Sequence, residues 1–421
     1  MKKFTVAVIG CGSRGYIYGD CMYKRADKFE VVCICDNNEV KLSNAQKAWN
    51  LSNEQSFLDE GEFFKEKRAD ILVIATQDRD HVRMCTRALE LGYDVLLEKP
   101  ISPLKEELYL LLEAQKKYGG QVVVCHVLRY APAFLKIKEI LDSGKIGKLI
   151  RIESIEQVCY WHQAHSFVRG NWRNDKETSP MIMQKCCHDF DLMQYYVSAK
   201  CDTVYSVGDL RFFNKENQPE GAADRCADCK YITECPYSAE NLYVERWKKM
   251  GKPENGWPFN VVDTSIPNTE ESLRHAYQNG PYGRCVFACD NNVVDNQSVE
   301  MSFENGVKVT LTMTAFTAKM GRKMTFHGTL GEIIFDDSAR TLVINLFGKE
   351  SVEYSIDELL SKDDNLGHGG GDSRLVEDFY NILANGAVSG TSLDGSVESH
   401  LIALAAEESR KTGEVVKVHK E

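Results

Sequence analysis

An apolar, β-branched run from Phe4 to Ile9 empties directly into Gly10-Cys11-Gly12-Ser13-Arg14-Gly15, and few folds place a buried strand against so glycine-rich a turn. The spacing is G-x-G-x-x-G, a helix is predicted from about Arg14, and a second strand, Glu30 to Cys35, delivers Asp36 at its end. In this strand–turn–helix context the first glycine permits the tight turn, the second lets a pyrophosphate reach the backbone, and the third allows close helix packing. Helix N-terminal N–H groups would face the phosphates. Gly10, Gly12, Ser13, Arg14 and Gly15 are therefore the expected cradle of a dinucleotide, with Asp36 accepting hydrogen bonds from the adenosine ribose. Asn37 and Asn38 follow with no adjacent arginine for a 2'-phosphate, which favours NAD over NADP. The plainer alternative is a structural turn beside a surface aspartate.

The alternation continues with a helix at Glu39 to Asn50, a strand at Ile71 to Thr76, a helix at Arg79 to Leu91 and a strand at Asp94 to Leu97. A helix from Leu104 to Tyr118 stops at Gly119-Gly120, and Gln121 to Val127 reads as a further strand. The fold class is α/β, with a doubly wound parallel sheet forming a Rossmann domain over residues 1–125. Residues 126–421 read as an α+β domain on a mostly antiparallel open sheet. Its strands are Leu149 to Val158, Val204 to Phe213, Val299 to Glu304, Val307 to Thr314 and four shorter ones between Met324 and Tyr354. Asn305-Gly306 is a two-residue hairpin signal. Helices at Ala133 to Ser143 and Lys185 to Val197 would cover one face, and Asp372 to Ala384 and Ser396 to Thr412 would finish the chain. Between them, residues 214–296 are rich in Pro, Gly, Asn and Cys and read as an insertion.

Lys and Arg total 51 against 62 Asp and Glu, a net charge of −11, which disfavours nucleic acid and anionic membranes as partners. No stretch reaches the roughly 18 to 20 apolar residues of a membrane helix, and the N-terminus lacks a signal-peptide pattern, so a cytoplasmic protein is expected. The 15 cysteines should then be reduced, apart from any that bind metal. Cys226-x-x-Cys229 with Cys235 resembles three ligands of a structural zinc site, with Cys285, Cys289 or Cys159 as the fourth. Reduced cysteines packing the insertion are the alternative. Cys186-Cys187 read as core filling.

Glu98-Lys99-Pro100 closes a predicted parallel strand, at the edge where open α/β sheets bind ligands. Tyr160-Trp161-His162 and the stretch His165 to Arg173, with Arg169 and Trp172, suit either a sugar site or a buried aromatic anchor. His368-Gly369-Gly370-Gly371-Asp372 either lines the pocket or caps a helix.

Taken in order, the glycine turn, Ile74-Ala75-Thr76 with His81, Glu98-Lys99-Pro100, Leu128-Arg129-Tyr130, Ser143-Gly144-Lys145-Ile146-Gly147 and His188-Asp189-Phe190-Asp191 resemble the Gfo/Idh/MocA oxidoreductases. Ser166 to Trp172 and Gly280 to Cys285 resemble a bacterial subgroup of that family. The resemblance implies that Lys99 and His188 lie beside the nicotinamide, His188 as general base and Lys99 orienting the hydroxyl. It adds Thr76, His81, Glu98 and Lys99 to the cofactor side. Arg129, Tyr130, Trp161, His162, Arg169, Trp172 and Gln184 stand on the substrate side. On its residues alone, His188 reads rather as a satisfied core histidine. Gln184 replaces an aspartate that many members carry one turn before the histidine, and glutamine cannot take a proton; Asp189 or Asp191 is left to orient His188 or to pair with Lys99. The implied activity is NAD-dependent oxidation of a secondary hydroxyl on a sugar, polyol or inositol-like substrate, by a homo-dimer or homo-tetramer. Two alternatives stand beside it: a glycosidase using NAD transiently through oxidation at C3, and a non-catalytic dinucleotide-binding regulator.

Overall fold

The computed structural model describes residues 2–361 and 368–419, in which the chain builds two sheets. The first holds β1 (Phe4–Ile9), β2 (Phe29–Cys35), β3 (Ser56–Phe57), β4 (Ile71–Ile74), β5 (Asp94–Leu97) and β6 (Val122–Val124). Their order is β3-β2-β1-β4-β5-β6, and every pairing is parallel. All four residues of β4 are buried, as expected of a strand with helices on both faces. The strand order reverses between β1 and β4, so the carboxyl ends carrying Gly10, Thr76 and Lys99 open onto one crevice.

The second sheet contains β7 (Leu149–Gln157), β8 (Cys201–Asp209), β9 (Asn296–Phe303), β10 (Lys308–Thr314), β11 (Gly321–Gly328), β12 (Gly331–Asp336), β13 (Thr341–Leu346), β14 (Val352–Ser355) and β15 (Val416–Lys417). It runs β14-β13-β12-β11-β7-β10-β9-β8-β15 and is antiparallel except between β7 and β10. The β9–β10 hairpin turns through Asn305-Gly306, with Gly306 at φ 90°. Strand β8 stops at Asp209 rather than at Phe213. The Asp295 carboxylate accepts the N–H groups of Arg211, Phe212 and Phe213 at 3.1, 2.7 and 3.4 Å, which takes that segment out of the ladder.

The Met181–Val197 and Leu393–Thr412 helices pack together against this sheet. The Gly371–Asn385 helix instead returns to the first domain, where Leu375, Val376 and Phe379 share a core with Val6, Val8 and Val73. The insertion has a core of its own, in which Phe213, Tyr243, Phe259 and Phe287 pack with Trp161 and Val168. Among the described residues no helix is long and apolar enough to cross a membrane.

Candidate active site

The glycine turn is shaped by what it cannot hold. A Cβ on Gly10, at φ 87°, would lie 2.4 Å from the Ala75 carbonyl oxygen, and one on Gly15 would lie 1.9 Å from the Gly10 carbonyl oxygen. Gly12 faces open space, with nothing within 4 Å of its would-be Cβ. Beside it the Ser13–Tyr23 helix presents first-turn N–H groups that have no intrahelical acceptor. The Asp36 carboxylate is aimed at the turn by the N–H groups of Cys11 and Asn38, at 2.7 and 2.8 Å. His81 ties the end of β4 to the next loop, its ring nitrogens 2.8 Å from the Pro100 carbonyl oxygen and 3.3 Å from that of Thr76.

Arg14 departs from expectation. Its guanidinium turns inward, 2.8 Å from Glu98 and 2.5 Å from Asp372, and also donates to the Tyr18 hydroxyl. These pairs lock the Glu-Lys-Pro loop and the Gly371–Asn385 helix onto the glycine turn, so the Arg14 side chain is held by protein groups. Burial pushes the Glu98 carboxyl up, but the charges of Arg14 and Lys99 outweigh it and hold Glu98 below its usual value.

Lys99 crosses the crevice and donates to the main-chain carbonyl of Gln184 at 3.2 Å. His188 stands one helical turn further on, buried, its Nδ1 without a hydrogen-bond partner among the described residues. Burial first, then the positive charge of Lys99, holds His188 well below the usual imidazole range, so the ring is neutral. It is one of a row: ring centroids separate His188 from His126 by 5.8 Å, His126 from His400 by 5.8 Å, and His188 from His368 by 5.9 Å. In His400, Nε2 accepts the Ile101 N–H at 2.8 Å, which leaves Nδ1 to donate to the Ser396 carbonyl at 2.7 Å. His126 is fully buried and neither ring nitrogen has a hydrogen-bond partner.

The aspartates near His188 are engaged elsewhere, which corrects the expectation that one of them orients it or pairs with Lys99. Asp189 accepts two hydrogen bonds from Arg322, at 2.8 and 2.9 Å, and Arg322 also lies 2.9 Å from Glu156. Asp191 is clamped by Arg129 at 2.6 and 2.7 Å, and Arg129 also donates to the Gly390 carbonyl at 2.7 Å. The Tyr130 hydroxyl donates to Asp378 at 2.9 Å. Arg129 and Tyr130 thus brace the cleft from behind.

On the far wall, Tyr160–His162 runs into a π-helical turn, Gln163–Arg169, a geometry that recurs at functional sites and that no sequence signal announced. His162 is half-buried, and its imidazole is held well below the usual range by desolvation first and then by the charges of Lys185, His165 and Lys99. Trp257, from the insertion, lies against His162 at 4.9 Å and Trp161 at 5.1 Å between ring centroids. Trp172 packs on Phe167. Arg169 is a correction: it points into the insertion, donating to the carbonyls of Arg284 and Tyr237 at 2.6 and 2.7 Å. Zinc is a second correction. Among the described residues no three His, Cys, Asp or Glu side chains are placed to hold a metal ion. Cys187, its thiol pushed up to about 12 by burial, is no nucleophile. His126 and Trp257 are the cleft residues that sequence reasoning missed, whereas His368, singled out from the sequence, stands beside His188. A lone histidine and an insertion tryptophan carry no spacing signal.

A parallel sheet whose glycine turn opens onto a cleft walled by a second, antiparallel sheet defines a two-domain dinucleotide-binding oxidoreductase. The chain belongs to the Gfo/Idh/MocA oxidoreductase family. Residues 4–126 match its NAD-binding Rossmann fold and residues 138–418 its C-terminal alpha/beta domain. The protein YteT of Bacillus subtilis (strain 168) is 24% identical over 391 residues, covering 89% of this chain and 88% of its own. The scyllo-inositol 2-dehydrogenase (NAD(+)) of the same organism is 27% identical over 202 residues, 48% of this chain and 56% of its own. Among solved structures, scyllo-inositol dehydrogenase from Lactobacillus casei, with bound NAD(H) and scyllo-inositol, superposes with a TM-score of 0.67 at 15% identity, covering 99% of both chains. An oxidoreductase from Agrobacterium radiobacter in complex with NAD+, L-tartaric acid and magnesium gives a TM-score of 0.70 at 13% identity over 99% of both chains. At these identities the likeness is one of fold.

Proposed function

We propose that this NAD-binding oxidoreductase is a dehydrogenase acting on a secondary hydroxyl of a sugar, polyol or inositol-like substrate. One observation carries the reading: a neutral His188 with an unpartnered Nδ1 shares a crevice with the Lys99 ammonium, beside a glycine turn with room only for a backbone-hugging ligand. The residues present fit NAD, because Gly12 leaves the space a pyrophosphate needs and Asp36 is oriented beside it. When bound, the nicotinamide supplies the hydride acceptor.

Lys99 donates a hydrogen bond to the substrate oxygen and stabilises the negative charge that grows there as the proton leaves. His188 takes that proton. Its neutral state makes it able to accept, and the nearby Lys99 charge favours its release in the reverse reaction. Gln184 holds Lys99 through a carbonyl rather than relaying a proton. Trp161, His162 and Trp257 offer apolar faces to C–H surfaces and polar edges to hydroxyls. The same reading includes a homo-dimer or homo-tetramer formed through the open sheet face, where Ile150, Tyr205 and Val207 stand exposed. It also places the enzyme in a reducing, cytoplasmic compartment that keeps its cysteines as thiols.

The test follows nicotinamide absorbance with a panel of sugars and inositols and either NAD or NADP. Net reduction of NAD by at least one substrate is expected. Aglycone release from glycosides without net reduction would move the protein to the transient-oxidation glycosidases. Cofactor binding without turnover on any substrate would make it a regulator, and a strong NADP preference would overturn the use made of Asp36.

A further inference from the structure

We infer that His368 carries the substrate proton from His188 out to solvent, held for that task by Asp372. The inference rests on the dehydrogenase reading, in which oxidation of the hydroxyl leaves its O–H proton on His188 as its hydride goes to NAD. Each turnover then charges a ring that is 6% exposed and faces the positive charge of Lys99. A buried imidazolium beside an ammonium is unfavourable, so the proton must leave before the next cycle.

Among the described residues one exit is open. Two rings flank His188, with His126 at 5.8 Å and His368 at 5.9 Å between centroids. His126 is fully buried and leads nowhere. Behind it lie His400, whose two nitrogens are taken by backbone groups, and Asp191, 3.9 Å away, which is buried and clamped by Arg129. Lys99, as an ammonium, has no lone pair to receive a proton. His368 differs, because its side chain is 37% exposed and so meets His188 on one side and water on the other. The gap between the two rings is one that a single bridging water or a small ring rotation spans.

The chain holds His368 where a relay needs it. The three glycines after it let the loop lie directly on the Val127–Tyr130 turn, since a Cβ on Gly371 would stand 2.2 Å from the Val127 carbonyl oxygen. His368 itself has φ 54°, the left-handed region that a residue with a side chain seldom enters and that recurs at functional sites. Gly370 occupies the N-cap of the Gly371–Asn385 helix, which leaves the Asp372 side chain for another use. Its Oδ2 lies 3.2 Å from His368 Nδ1. Arg14 Nη1 is 3.4 Å from the same nitrogen, and the guanidinium pairs with the fully buried Asp372 carboxylate at 2.5 Å, helping to hold it at about 2 and therefore charged. The nearer carboxylate sets the tautomer. Nδ1 keeps its hydrogen and donates to Asp372, and the Nε2 lone pair is left to receive a proton. In the transfer an N–H bond of His188 breaks, an Nε2–H bond forms on His368, and the resulting imidazolium, stabilised by the Asp372 charge, releases its proton to bulk water. Both rings return to neutral.

The test measures NAD reduction by the full chain with whichever sugar or inositol of the panel reacts fastest, in H2O and D2O, with and without added imidazole. His368→Ala should lower kcat about 10²-fold, the lower end of the range for acid–base groups, with KM little changed. Its solvent isotope effect should exceed that of the parent, and imidazole should restore its rate in proportion to concentration while leaving the parent unaltered. His368→Gln keeps a hydrogen bond to Asp372 but cannot carry a proton. It should be as slow, with the same larger isotope effect, and it serves alone if His368→Ala fails to fold. Parent-like kcat in either variant, a loss without a larger solvent isotope effect, or a loss in His368→Ala that imidazole does not reverse overturns the relay and leaves the dehydrogenase reading standing. A parent that reduces NAD with no member of the panel overturns both.

Discussion

The Met181–Val197 helix treats its two sides in opposite ways. Towards the nine-stranded sheet, Asp189 meets both arms of Arg322 and Lys185 lies 3.0 Å from Glu156, so buried charge meets opposite buried charge. Towards the crevice, His188 keeps Nδ1 without a hydrogen-bond partner among the described residues, beside a His126 neither of whose ring nitrogens makes a hydrogen bond there. Buried polar groups in folded proteins are nearly always hydrogen-bonded. The paired side is what the fold needs for itself; the unpaired side is what it holds ready for a ligand.

The contrast breaks most decisively at His188. His188→Ala should lower kcat by about 10²- to 10⁴-fold, the usual range for a general base, while the melting temperature stays close to that of the parent. A stability loss in proportion to the activity loss would return His188 to the core. On the paired side, Arg322→Met leaves Asp189 buried without its cation and Glu156 with Lys185 alone, and urea denaturation should register a cost of about 3–5 kcal/mol. A cost below about 1 kcal/mol would mean that the two sides do not differ.

A third test uses acid. Burial pushes the Asp372 carboxyl up, but the Arg14 charge and the contacts from His368 and Arg14 outweigh it and hold it at about 2 against an ordinary 3.8. The folded value lies below the unfolded one, so this stability is complete above pH ~4 and is lost as pH falls towards ~2; the shift corresponds to about 2 kcal/mol. Asp372→Asn should remove that part of the acid sensitivity from a pH series of melting temperatures, and an unchanged slope would refute it. The smallest effect belongs to the N-cap of the Glu39–Ala48 helix, where substitution keeps the backbone N–H that orients Asp36. The Asn38 side chain accepts the Lys41 N–H at 3.1 Å, and Asn38→Ala should cost about 1 kcal/mol in thermal melts with kcat unaltered.

The parts of this protein that could be read early are those whose partners are close along the chain. A side chain on Gly10 would meet Ala75 and one on Gly15 would meet Gly10, so their spacing, read between a strand and a helix, announced the turn, and the strand–helix alternation announced the parallel sheet. Helix limits shifted by a few residues: the Met181–Val197 helix starts before Lys185, and the Leu393–Thr412 helix before Ser396. Side-chain direction was not readable. Arg169 belongs to a stretch suited to a sugar site yet turns into the insertion, because a π-helical turn rotates it away from the cleft.

Local sequence therefore determined the two-sheet architecture, the glycine cradle and the placement of Lys99 at a strand's carboxyl edge, since each depends on backbone conformation and period over a few residues. Only the tertiary structure decided which buried groups are paired and which are kept open. It gave Asp189 to Arg322 and Asp191 to Arg129, left His188 Nδ1 and both ring nitrogens of His126 without a hydrogen-bond partner among the described residues, and brought Cys285 to the other three cysteines. Those outcomes depend on charges and sulfurs remote in sequence meeting in a low-dielectric interior, where the cost of an unpaired group is set by the whole fold rather than by its neighbours along the chain.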